Sequence, residues 1–377
     1  MFEILKKSNI SSARLGVITT PHGKIKTPAF FPDATRGIIK TLDNSDLDKL
    51  GLQSMVVNTF HLCNQPGIKI IKKANGIHGF INWTGPLISD SGGFQVFSLI
   101  HKNPKLGKIL DKHAEFKSPI DGSLLKLSPE KSISIQFDLG TDLIICLDDC
   151  SPYNHNIEQT AKAVDRTIAW ASRCKREYDK QIIKRKLTKL KKPKLISVVQ
   201  GGEDTKLRQY CAKKLLAIGF DGYGFGGRPI DPKGNFLNSI LDETSKATPN
   251  DKFRFALGVG QPEDIIRCVK MGWDLFDCVI PTREGRHGKL FFHNNLKKNN
   301  KNFYKTINIK NSTFKNDLNP INKFSSISEL KNNSRAYLHY LFRINESVGQ
   351  KLSSLNNLEF YLILMNILKR NIKSNLI

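Results

Sequence analysis

The run Phe276-Asp277-Cys278-Val279-Ile280-Pro281-Thr282-Arg283-Glu284-Gly285-Arg286 sets a carboxylate at the end of an apolar stretch, then a proline turn, then two arginines. A strand that delivers an acid to a loop floor beside cations suits chemistry on a phosphate-bearing substrate. A second acid, Asp90, is followed by Ser91, Gly92 and Gly93, small residues that let a planar ligand approach the backbone, and by Phe94, a stacking face. Two such carboxylates can transfer a glycosyl group. One attacks the anomeric carbon and forms a covalent sugar–enzyme intermediate, and the other handles the leaving-group proton. That division of labour needs environments that push their pKa values apart. Plainer roles compete: Asp277 as a buried acid paired with Arg283, and Asp90 as a helix N-cap ahead of Gly92-Gly93.

Reading a purine needs donors and acceptors fixed around its edge. Asp148, in Leu147-Asp148-Asp149-Cys150, can accept from a ring N–H and an exocyclic amine. Gln200, in Val199-Gln200-Gly201-Gly202, can donate to a carbonyl.

These residues must be carried by regular elements. Short apolar runs recur at Met55–Asn58, Leu87–Asp90, Leu143–Asp148, Leu195–Gln200, Gly222–Gly226, Phe255–Gly258 and Leu275–Ile280. Their continuous hydrophobicity is that of parallel strands covered on both faces. Helical patterns separate them: Ser45–Leu50, Pro129–Leu139, Ile157–Tyr178, Thr205–Ile218, Phe236–Lys246 and Pro262–Met271. The alternation predicts an α/β fold, a TIM (β/α)8 barrel. An open doubly wound sheet competes, but no Gly-rich dinucleotide fingerprint follows the first strand. Nearly every run ends in a polar residue or glycine, namely Asn58, Asp90, Asp148, Gln200, Gly226, Gly258 and Asp277. Barrel sites lie at the C-terminal ends of strands, so these positions imply one convergent site.

Two segments interrupt the pattern. Lys112–Phe116 and Leu124–Leu127 flank Asp121-Gly122 as a hairpin. Residues 291–334 are rich in Asn, Lys and Ser and weakly periodic, as an inserted subdomain would be. Arg335–Phe342 and Leu358–Leu368 return to helical spacing. The expected division is a barrel body over 1–290, a subdomain over 291–356 and a C-terminal helix over 357–377 that packs on the barrel. The basic run Lys184–Lys194 reads equally as a solvated loop or an RNA-facing patch.

The 377 residues carry a formal charge of +25, which favours a polyanionic partner such as nucleic acid. Seven scattered cysteines without a CxxC pair argue for a reducing compartment. No secretory signal is evident, and no apolar run reaches the roughly 18 residues a membrane span needs. The expectation is a cytoplasmic protein without membrane contact.

Taken together, the motifs around Asp277 and Asp90, with Asn58-Thr59-Phe60-His61-Leu62, Ser118-Pro119-Ile120-Asp121-Gly122 and Ser334-Arg335-Ala336-Tyr337-Leu338-His339, resemble the bacterial-type tRNA-guanine transglycosylases. The resemblance covers residues 12–290 closely and the remainder in part. It implies a TIM barrel that exchanges the wobble guanine of GUN-anticodon tRNAs for a 7-deazaguanine, in queuosine modification. Asp277 matches the family nucleophile and Asp90 the general acid/base. Ser91, Gly92, Gly93, Phe94, Asp148, Gln200, Gly227, Leu257 and Gly258 match positions that hold the base. Gly258, Val259, Gly260, Gln261, Pro262, Glu263 and Asp264, with Thr282, Arg283, Glu284, Gly285 and Arg286, match segments that contact the tRNA. The resemblance leaves a homodimer open. Other readings are a catalytically drifted tRNA-binding subunit and an enzyme that inserts deazaguanines into DNA.

Two departures stand out. The family's structural zinc is held by a CxCxxC motif and a later histidine, and here those positions fall on Ser325, Ile327, Leu330 and Asn356. None makes a zinc-ligand set, and no cysteine follows Cys278. The expectation is a chain without zinc or any other cofactor, with Ile327 and Leu330 forming a small substitute core. The second departure is Gly226-Gly227-Arg228-Pro229-Ile230-Asp231-Pro232, where the family continues Gly-Gly with Leu, a small residue and Val-Gly-Glu. That loop reads the substituent of the incoming base. Ile230 and Cys150 lean toward the small aminomethyl base over queuine, and Arg228 is equally readable as an unrelated surface cation.

Overall fold

Eight parallel strands carry the alternation. In a computed structural model, which describes residues 2–118, 122–294 and 303–377, they are β1 (Ala29–Pro32), β2 (Met55–Asn58), β3 (Leu87–Asp90), β4 (Leu143–Ile145), β5 (Lys194–Val199), β6 (Gly222–Phe225), β7 (Phe253–Ala256) and β8 (Leu275–Cys278). Sequence neighbours pair from β2 through β8, and β8 pairs with β1. A parallel bridge between Asp33 and Val56, with the Ala34 N–H donating to Val56 O at 2.8 Å, joins β1 to β2 and closes the TIM barrel. β1 is the strand that periodicity missed. It is four residues long, ends in proline, and follows antiparallel strands rather than a helix.

Helix signals were strong where caps were explicit. Ser128 accepts from Lys131 N and Pro129 opens the helix that ends at Leu139, before Gly140 in the left-handed region. Asp204 caps Thr205–Ile218 in the same way. Three expectations need correction. The helix from Ile157 runs on to Lys184. β4 stops at Ile145, so Asp148 sits on the loop beyond it. Residues Ile280–Arg286, read as a turn and loop floor, form a short helix, because proline in a first turn lacks only an N–H that had no partner there.

Side chains along each strand alternate between the lumen and the surrounding helices. The lumen core contains Ala29, Phe31, Val56, Ile88, Leu143, Ile145, Ile196, Val198, Phe253, Phe255 and Leu275. β6 contributes no side chain to it. A Cβ on Gly222 would lie 2.3 Å from the Phe253 ring, and one on Gly226 would lie 2.4 Å from Gln200 Nε2. Neighbouring strands fill that space.

The N-terminal end of the barrel is built for stability. Strands Phe2–Lys7, Arg14–Thr20 and Gly23–Thr27 form an antiparallel sheet there. Arg14 pairs with fully buried Asp274 at 2.6 Å. Asp142 Oδ1 accepts from His22 N at 2.9 Å and Oδ2 from Leu87 N at 2.9 Å, while His22 Nδ1 and His78 Nε2 lie 3.0 and 3.3 Å from its oxygens. This trio resembles a metal site in composition. Its two imidazoles, however, stack with centroids 3.7 Å apart and planes 22° apart. An ion bound by both rings must lie in both ring planes, and near-parallel stacked planes do not meet beside either nitrogen. The trio is an ionic clamp between the N-terminal sheet and the barrel. The basic run ending at Lys194 precedes β5, so it too lies at this end, away from the strand C-termini.

Past the barrel, Lys289–His293 and Tyr304–Asn308 pair antiparallel, and the last helix spans Ser347–Lys373, starting before the expected 357. Within the hairpin expected around Asp121-Gly122, Ala114–Lys117 and Leu124–Leu127 do pair. Pro119, Ile120 and Asp121, and residues 295–302, lie outside the described residues. No described helix is long and apolar enough to cross a membrane.

Candidate active site

Lumen alternation delivers the predicted acids. Ile88 and Leu275 belong to the lumen core, so Asp90 and Asp277, two residues further on, project into the mouth. Asp90 Oδ2 accepts from Asn58 Nδ2 at 2.6 Å, and its Oδ1 accepts from Gly92 N at 3.0 Å and Thr59 N at 3.4 Å. The following helix, Gly93–Lys102, has Gly92 as N-cap with no side-chain cap bond, so Asp90 is not its cap. Asp277 Oδ1 accepts from Gly258 N at 3.0 Å. Arg283 turns instead to Glu284, 3.5 Å away, so the Asp277–Arg283 pair is not formed.

Burial dominates the electrostatics. It pushes the Asp277 carboxyl up to about 7, against the Gly258 N–H that stabilises the charged form. Asp90 is pushed up to about 7 by burial, opposed by the Gly92 and Thr59 N–H groups and reinforced by the Asp277 and Asp33 charges. Each acid feels another carboxylate of the mouth, Asp90 those of Asp277 and Asp33 and Asp277 that of Asp33, so their titrations are linked.

Asp148 and Gln200, each expected at the edge of a base, also meet one another, with Gln200 Nε2 donating to Asp148 Oδ2 at 2.6 Å. Burial pushes Asp148 up to about 7 as well. Gln200 lines a cleft of about 590 Å³, whose other walls include Phe94, Cys150, Tyr153, Gly227 and Arg228. Phe94 is 49% exposed there, an open stacking face at the start of its helix. A Cβ on Gly93 would fall 2.8 Å from Leu147 Cδ1, which explains the small residue three positions after Asp90. Buried Ser91 accepts from Gly93 N at 3.2 Å through its Oγ. Leu257 follows Phe255 in the lumen alternation, beside Gly258.

The expected tRNA segments flank the same mouth but differ in access. Gly258, Gln261, Glu263, Arg283, Glu284 and Arg286 are reachable from solvent, whereas Val259, Gly260, Pro262, Asp264, Thr282 and Gly285 are buried. The buried group shapes the loops rather than offering side chains to RNA.

Two residues were missed. Arg208, fully buried, donates to Val199 O, Gly202 O and Gly226 O at 3.1, 2.8 and 3.0 Å, tying the ends of β5 and β6. The Tyr153 hydroxyl lies 3.0 Å from Arg228 O and 2.6 Å from Ile230 O, pinning the divergent loop. Neither has a local sequence signal, because both act on distant backbone.

This constellation has known counterparts. Residues 9–376 match a family described as queuine tRNA-ribosyltransferase. A queuine tRNA-ribosyltransferase of Prochlorococcus marinus (strain MIT 9215) is 38% identical over 99% of this chain and 94% of its own length. That of Methylacidiphilum infernorum (isolate V4) is 38% identical over 97% and 93%. The chain belongs to this family. The match spans the barrel and the C-terminal region alike, so the replaced zinc positions lie inside a retained framework.

Those positions do not fit a zinc ion. Ser325, Ile327, Leu330 and Asn356 are all buried, and none supplies a sulfur or imidazole donor. Glu359 gathers the neighbouring donors: its Oε2 accepts from Ser325 Oγ at 2.6 Å and its Oε1 from Ser326 N and Oγ, each at 2.6 Å. Asn356 Nδ2 donates to Phe291 O at 3.0 Å, and Asn322 Nδ2 donates to Asn356 Oδ1 at 3.1 Å.

Proposed function

We propose that this protein, a pentosyltransferase, exchanges the wobble guanine of GUN-anticodon tRNAs for a 7-deazaguanine through a covalent Asp277–ribose intermediate. The observation that carries the reading is the convergence of Asp277 and Asp90 on one barrel mouth, beside the Asp148–Gln200 pair. Asp277 in its carboxylate form attacks C1′ of the target ribose. The C1′–N9 bond breaks with its electron pair on guanine, and protonated Asp90 supplies the proton. Asp90, now a carboxylate, takes the N9 proton of the incoming base, whose nitrogen displaces Asp277 and restores the N-glycosidic bond. Both acids titrate near 7, so a state holding one proton between them is well populated at neutrality. Asp148 accepts from the purine N1–H and amine, and Phe94 stacks on the ring. The placement of Cys150 in the cleft and of Ile230 on the pinned loop supports the small aminomethyl base over queuine. Half-buried Arg286 and exposed Arg283 are set to meet the phosphates around the wobble nucleotide.

No zinc enters this reading. We propose that the Glu359 network and the buried Ile327 and Leu330 hold the C-terminal region without metal. A cytoplasmic location also belongs to the proposal, and a homodimer is left open by it. The function is tested by incorporation of labelled guanine into GUN-anticodon tRNA, with Asp277→Asn as control. Incorporation that vanishes in the control, together with a denaturation-resistant tRNA adduct in wild type only, is the expected result. An adduct that survives Asp277→Asn means another residue attacks.

A further inference from the structure

The rim of the barrel carries one more carboxylate than the mechanism uses. β1 ends at Pro32, and Asp33 follows. Ala29 and Phe31 lie in the lumen core, so alternation carries Asp33 into the mouth. The register fixes its neighbours. Cys278 pairs with Pro32, Asp33 bridges to Val56, and Asn58 pairs with Asp90. Around the rim the order is therefore Asp277 on β8, Asp33 after β1, Asn58 on β2 and Asp90 on β3. Asp33 stands between the two catalytic acids in strand order, one lumen-facing position beyond Phe31, the register partner of Asp277. Its Oδ1 accepts from Thr35 N at 3.2 Å and Thr35 Oγ1 at 2.5 Å. No hydrogen bond to Oδ2, and no ion pair with Asp33, is present among the described residues.

We propose that Asp33 is a positioning residue of the acid set, whose negative charge keeps one proton on the Asp90–Asp277 pair through both half-reactions. This rests on the reading of Asp277 as nucleophile and Asp90 as acid. Both need opposite protonation at the moment of attack. Once Asp277 is charged, Asp90 faces two carboxylates and holds the proton that the leaving guanine requires. The Asp33 charge pushes both Asp90 and Asp277 upward. The other titratable groups that feel Asp33 are Cys278 on β8, His61 on the helix after β2, and Arg286 on the helix after β8. Arg36, on the same loop as Asp33, acts on His61. Asp33 thus feels Asp90 and Asp277 on one hand and Arg286 on the other.

The test is the pH profile of guanine exchange for wild type, Asp33→Asn and Asp33→Glu. Asparagine keeps the acceptor for Thr35, so the fold is retained, and thermal unfolding at one pH checks this. The acid limb of kcat/KM is expected to move down by roughly half to one pH unit in Asp33→Asn and to return in Asp33→Glu. Asp33→Asn is also expected to bind tRNA more tightly, since a negative charge leaves a polyanion site. A purely structural role would lower melting temperature and leave the acid limb in place, and an unmoved limb overturns the proposal. If wild type exchanges no guanine, the reading of function fails separately. Carboxyl infrared titration of the free protein then decides the matter for Asp33: a band set that titrates identically in wild type and Asp33→Asn overturns it, and one that titrates lower in the variant supports it.

Discussion

Asp277 makes one hydrogen bond, to Gly258 N, and sits where burial holds its carboxyl near 7 rather than at the ordinary 3.8. A raised carboxyl destabilises the fold in a defined pH window. Below about pH 4 folded and unfolded chains are both protonated there, so nothing is lost. Between about 4 and 7 the unfolded chain releases its proton first, and stability falls as pH rises; above 7 the loss is constant. Asp277→Asn, which can keep an acceptor for Gly258 N, is expected to stabilise the protein by about 1–4 kcal/mol at pH 8 and by almost nothing at pH 4. Thermal unfolding at the two pH values measures this, and an equal shift at both would mean the acid is solvated. Asp90, Asp277 and Gln200 were legible in the sequence because each is a polar residue at the end of an otherwise apolar run. Asp33 escaped because four residues ending in proline leave no period to break, and Arg208 escaped because its partners are carbonyls, which every residue has.

At the scale of elements, the strands and capped helices were legible and the braces were not. The segment after β8 reads as a loop until the last helix is considered. Helix Ser347–Lys373 crosses Ile280–Arg286 so closely that a Cβ on Gly285 would lie 2.9 Å from the Ser353 backbone. Asn357 Nδ2 donates to Pro281 O at 2.9 Å and to Lys289 O at 2.9 Å, and the Tyr361 hydroxyl donates to Gly260 O at 2.7 Å. One helix therefore holds both segments expected to meet the tRNA. Gly285→Ala forces backbone apart and is expected to cost about 1–3 kcal/mol of stability and to weaken tRNA binding more than guanine binding. Filter binding beside thermal unfolding checks it. Wild-type affinity and stability in that variant would show that the two helices can separate freely. Long-range contacts of this kind join residues some seventy positions apart, such as Pro281 and Asn357, and no local pattern encodes them.

Across the whole molecule, a charge of +25 suits the polyanionic substrate, and family membership extends from residue 9 to 376. On the metal-free reading, what stands in for the metal is distributed. Serine hydroxyls, one glutamate, asparagine amides and two aliphatic side chains occupy the region that three cysteines and a histidine hold in the resembling family. A structural zinc supplies folding energy directly, so its loss has to be offset by such contacts. The metal-free reading predicts that chelator leaves the melting temperature unchanged and that dialysed protein retains no stoichiometric zinc. Glu359→Ala is expected to cost about 1–3 kcal/mol, because the buried Ser325 hydroxyl loses its acceptor, as do the N–H and hydroxyl of exposed Ser326. One zinc per chain after dialysis would refute the reading. The sequence revealed the missing ligands but not Glu359, which lies outside the aligned ligand positions.

The brace formed by Ser347–Lys373 also orders events during synthesis. Chains fold from the N-terminus as they emerge. All eight barrel strands, with Asp90, Asp148, Gln200 and Asp277 on or just past them, are made before Asn357 and Tyr361 exist. On the proposed reading, a nascent chain therefore completes its acids before the brace that fixes the two segments expected to meet the tRNA.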